Sequence, residues 1–169
     1  MEAISQDRVV EVIRKLNAMS FAEKEQAVDR LHQSQPHVLA YALGLKHDIS
    51  LPVLDHVLHL VLFIHEAFQG DRNGFPQISL DALTASLLKH AEMLNFIDSA
   101  PEGMREDSIA LTVHAQKERN VLAWTVGYLQ DHGLIGESDE QTQVICAVKT
   151  ILDAYTRAKW QAPKEELER

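Results

Sequence analysis

Apolar residues recur along this chain every three or four positions and do not alternate in runs, which is the period of helices rather than strands. Val9, Val12, Ile13 and Leu16 share one face of a first helix, expected over residues 6 to 18 with Ser5 as its cap. Ser20-Phe21-Ala22-Glu23 reads as a capping box, in which Ser hydroxyl and Glu carboxylate satisfy each other's backbone N–H groups. It starts a second helix that runs to about residue 33. Pro36 stops that helix and opens a third to residue 46, and Ser50 with Pro52 opens a fourth to residue 69. The strongest break is Gly70-Asp71-Arg72-Asn73-Gly74-Phe75-Pro76. Ser79 caps a fifth helix to about residue 96, and a loop follows at 98 to 103. A helix is expected over 107 to 131 with Gly133 as its stop. A second capping box, Ser138-Asp139-Glu140-Gln141, starts the last helix, which runs to about residue 160 before Pro163.

The chain also matches itself. Residues 38–45 align with 121–128, with Val, Leu, Ala and Gly identical and Tyr41 opposite Trp124. Residues 57–68 align with 144–155, with Val, Val, Ile and Ala identical. The offsets, 83 and 87, differ by a few residues that the loop around Gly133 absorbs. The expectation is an all-α, compact bundle of about seven or eight helices: one domain over 1–163, built from two tandem pseudo-symmetric units (about 5–70 and 79–160) sharing one core, then a charged tail at 164–169. Gly44 and Gly127 cost about 1 kcal/mol each inside a helix relative to Ala, so the pattern predicts tight crossings there.

Composition narrows the function classes. A chain of 169 residues with 46% hydrophobic positions can bury a full core. A net charge of -9 argues against nucleic acid as a partner. One cysteine rules out an internal disulfide framework. No basic-then-apolar leader opens the chain, and the most apolar stretch, 51 to 68, carries Asp55, His56, His59, His65 and Glu66, so no membrane span is expected. The expected location is the cytoplasm, with Cys146 a reduced, buried thiol.

Nine histidines are roughly twice ordinary usage, and histidine suits metal binding and pH sensing. Asp55, His59 and Glu66 fall within about 40° of each other on a helical wheel, either as a stripe facing water or as a set of ligands. Under the internal alignment His59 matches Cys146 and Glu66 matches Asp153. If a two-fold axis ran between their helices, His59, Glu66, Cys146 and Asp153 would converge as a set suited to zinc. No Gly-rich phosphate loop, nucleophile elbow or Glu-x-x-His pair is present. The leading expectation is therefore a non-catalytic interaction or scaffold protein that self-associates or binds a protein partner. The alternative is a metal- or small-ligand-binding protein with a polar site between the two halves. No cofactor is specified.

Overall fold

The computed structural model describes residues 2–70, 74–99 and 115–161, with backbone alone at 93–99. Among these residues seven α-helices follow in order: α1 Gln6–Ala18, α2 Phe21–Ser34, α3 Pro36–Gly44, α4 Leu51–Gln69, α5 Leu80–Ser99, α6 Arg119–Asp131 and α7 Asp139–Gln161. A short 3-10 turn, Leu45–His47, follows α3, and no strand occurs among the described residues. The protein is an all-α bundle.

The starts are set by the caps that the sequence encodes. Ser5 accepts from the Arg8 N–H, Ser20 and Glu23 close a reciprocal box, and the Ser79 hydroxyl accepts from the Ala82 N–H. Ser138 and Gln141 form the second box. Gly133 takes a left-handed φ of 65° just beyond α6, where a side chain would be strained. One expected helix needs correction: α6 starts at Arg119, not 107, because residues 116–118 leave the helical path. The expected segment 107–114, the loop at 100–103 and the tail at 164–169 lie outside the described residues.

α4 and α7 pack against each other at the centre, α1 lies on α4, and α5 lies on α7. α3 touches α5, and α6 touches α1. α4 is long and apolar enough to cross a membrane, yet here Val57, Leu60, Val61, Phe63 and Ile64 have no exposed surface at all. Each such side chain contributes about 1.5–3 kcal/mol by leaving water, which makes α4 the spine of the core.

The aligned halves are buried alike. At eleven of the twelve matched positions of α4 and α7 the burial class is the same; the exception sets buried Leu62 against half-buried Lys149. Each aromatic of the aligned pair contacts the helix aligned with the other's neighbour. Tyr41 of α3 approaches Cys146 and Thr150 on α7, while Trp124 of α6 packs on Phe63, with ring centroids 3.8 Å apart, and neighbours His59 on α4. His59 and Phe63 are the aligned counterparts of Cys146 and Thr150.

A second matched pair sits at the helix starts. Gln35 and Glu118 precede α3 and α6, 83 positions apart, and neither has exposed surface. Neither side chain caps its own helix. Gln35 Oε1 accepts from the Ile78 N–H at 2.8 Å, and its Nε2 donates to the Pro76 carbonyl at 3.0 Å. Glu118 Oε2 accepts from the Ile4 N–H at 2.7 Å, and its Oε1 accepts from Lys159 and the Trp160 indole. Each side chain thus clamps the residue before a distant helix cap, Ser79 for Gln35 and Ser5 for Glu118.

The glycines do not make tight crossings. A β-carbon built on Gly44 or Gly127 meets no atom within 4 Å. The aromatic one turn earlier takes the interhelix contact, Gly44 closes its helix, and Gly127 faces open space.

Candidate functional site

The four residues expected to converge are held by different neighbours. Glu66 accepts from Lys15 of α1 at 2.6 Å. Asp153 is held by His90 of α5 at 2.7 Å and by Lys149 at 2.5 Å. Burial pushes the Asp153 carboxyl upward, but these two partners outweigh it and leave it below the usual carboxylate range. Burial raises the Cys146 thiol, which keeps it protonated beside Thr150. Among the described residues no three His, Cys, Asp or Glu side chains gather to hold a metal ion, so these four do not meet as a set. The acid shared by Glu66 and Asp153 has another physical reason: each accepts a hydrogen bond from a side chain on a neighbouring helix, Lys15 of α1 and His90 of α5.

His59 belongs instead to a groove of about 1000 Å³ bounded by α1, α2, α4 and α6. Its aromatic wall is α6 with its C-cap residue His132: Trp124, Tyr128 and His132 lie four residues apart and so share one face. Trp124 and Tyr128 have ring centroids 5.3 Å apart, and Tyr128 and His132 stack at 4.1 Å. α4 supplies the facing rings. His59 stacks on Tyr128 at 5.0 Å and 20°, and His56 lies 4.6 Å from His132. Hydrogen bonds set the column: His56 Nδ1 meets the Tyr128 hydroxyl at 2.9 Å, and His132 Nδ1 donates to the Tyr128 carbonyl at 2.8 Å.

Burial, reinforced by Lys24, His56 and His132, lowers the His59 pKa, so this ring is neutral at neutral pH. Burial likewise raises the Tyr128 phenol, which stays protonated. Apolar surface comes from Ile13, Val28, Leu58 and Leu62. Charge comes from α2 and α4, where Glu25, Asp29 and Asp55 face a single Lys24. No Ser, Thr or Cys lines the groove among the described residues, so it presents flat faces and carboxylates rather than a nucleophile.

Trp124, Tyr128 and His132 were not grouped by sequence reasoning, although their four-residue spacing was a readable signal. Only the approach of α4 makes them one surface. Comparison with protein-family models, with curated proteins and with solved structures finds no match, so the chemistry of the groove itself carries the functional reading.

Proposed function

We propose that this chain is a duplicated helical unit acting as a binding protein, and that its groove takes up a small, flat organic cation. The observation that carries this reading is the ring column Trp124–Tyr128–His132 with neutral His59, set beneath three carboxylates and one ammonium. Ring faces attract cations by about 0.5–2 kcal/mol each, and more where water is excluded. The carboxylates add a field of the matching sign, and a groove of this size holds an ordinary small ligand. The exchanged Tyr41 and Trp124 contacts and the exchanged clamps support the duplication, which places the groove at the seam between the units.

The test is quenching of tryptophan fluorescence by N-methylquinolinium, with neutral quinoline as the shape-matched control. The expected result is saturable quenching by the cation, at least tenfold tighter than by quinoline, abolished in Trp124→Ala and weakened at least fivefold in Asp29→Asn with Asp55→Asn. Equal binding of the two probes, or none of either, overturns the reading. A second reading, self-association, is favoured by Leu80 and Leu88, which lie two turns apart on α5 and are 58% and 59% exposed. It requires a dimer in light scattering that Leu88→Lys dissociates; a monomer at high concentration refutes it.

A further inference from the structure

A second cavity, about 500 Å³, lies between α5, residues 115–117 and α7. Its charge is opposite to that of the chain. Four of its eleven lining residues, Lys89, Lys117, Lys149 and Arg157, are basic, whereas only 16 of 169 are basic in the whole protein. Asp153, the one carboxylate among the described lining residues, is already held by His90 and Lys149. Among the described residues Lys89 and Arg157 have no ion-pair or hydrogen-bond partner, and the Lys117 ammonium sits 4.7 Å above the Trp160 ring.

The floor beneath these cations is fixed. His90 and Gln116 are buried, at 4% and 7% exposure, and Lys149 Nζ donates to both Gln116 Oε1, at 3.2 Å, and Asp153. A cavity of this volume has a radius of about 5 Å, so the four cations stand within roughly one Debye length and repel one another. Such crowding is relieved by a counter-charge placed among them. Among the described residues the lining carries four positive charges against one negative, a surplus of three. A single phosphoryl group brings about -1.5 to -2, which is less than that surplus. Two linked groups match it. The volume suits a small molecule, and cations clustered around one pocket do not make the extended basic track that a nucleic-acid strand follows.

We propose that this cavity binds a diphosphate, with Lys89, Lys117, Lys149 and Arg157 as its ligands and His90–Asp153 as the support that positions Lys149. The diphosphate comes either as free pyrophosphate or as the diphosphate end of a small organic ester. The site is independent of the aromatic groove. The experiment is titration calorimetry of the full chain with inorganic pyrophosphate, a nucleoside diphosphate, inorganic phosphate and sulfate at equal ionic strength. Pyrophosphate is expected to bind one per chain, at least tenfold tighter than phosphate or sulfate. Arg157→Gln and Lys89→Gln are each expected to weaken it at least fivefold while the ligand-free melting temperature stays unchanged, and Trp124→Ala is expected to leave it intact. Tighter binding of the nucleoside diphosphate assigns the site to an ester, and weaker binding assigns it to the free anion. Absent pyrophosphate binding, equal binding of sulfate, or indifference to both variants overturns the proposal.

Discussion

His65 is buried on the central helix α4, and its titration sets an acid limit on stability. It is 3% exposed, with Nδ1 2.9 Å from the Tyr155 hydroxyl and Nε2 3.4 Å from Ser34 Oγ. The Ser34 hydroxyl donates to the Arg30 carbonyl, so Nε2–H donates to Ser34 and the Tyr155 phenol donates to Nδ1. Burial lowers its pKa from 6.5 to about 4, with Glu66 opposing the shift weakly. The unfolded chain therefore takes up this proton near pH 6.5 and the folded chain only near pH 4. Stability from this site is complete above pH 6.5 and lost as the pH falls towards 4. At about 1.4 kcal/mol per tenfold, the whole loss is about 3 kcal/mol, and about 2.5 kcal/mol of it is gone by pH 4.5. That is a large part of the ~5–15 kcal/mol that holds a domain folded. The control is His65→Leu, because the aligned position in α7 is Leu152, buried and apolar. It leaves the Tyr155 hydroxyl unpaired, so at pH 7.5 the variant is about 1–3 kcal/mol less stable. Urea unfolding from pH 7.5 to 4.5 should show this gap closing or reversing, and the His65 ring should titrate near pH 4 by NMR. Curves that fall in parallel would refute the reasoning.

Glu118→Ala strips the acceptor from Ile4, Lys159 and Trp160 together and should cost about 3–5 kcal/mol, whereas Gln35→Ala orphans chiefly the neutral Ile78 N–H and should cost about 1–3 kcal/mol. Urea unfolding checks the order, and equal losses would contradict it. Gly127→Ala should raise stability by about 0.5–1 kcal/mol, because the new methyl meets open space inside a helix; a lower melting temperature would show a contact there after all. Cys146 should react with a disulfide reagent at pH 7.5 at least tenfold more slowly than free cysteine, since burial raises its thiol. A rate equal to that of free cysteine would place the thiol in water.

Local signals in the sequence survive folding well. The Ser5, Ser20, Ser79 and Ser138 caps each act over three residues, and all four helices begin where they say. α4 spans residues 51–69 as its apolar period requires. Signals that depend on what lies opposite fare worse. Glu66 and Asp153 pointed to a shared site because their acidity repeats, but Lys15 and His90 approach from α1 and α5 and account for both. Gly44 and Gly127 repeat without a close neighbour. The start of α6 was missed because residues before Arg119 look helix-compatible, whereas the structure breaks there and buries Glu118. The same offset that pairs Val38 with Val121 pairs Gln35 with Glu118, so the clamps were visible in register though not in identity.

The clamps also govern when the protein can finish folding during synthesis. The Ile4 N–H waits for a carboxylate 114 residues downstream, and the Ile4 carbonyl for an Asn120 amide 116 residues downstream. Helices α1 to α4 can collapse as they emerge, but the residue before the first cap stays unpaired until residues 118–120 have left the ribosome. Contacts closed over such separations form late. A ribosome stalled midway therefore holds a chain whose leading end has helices but no latch.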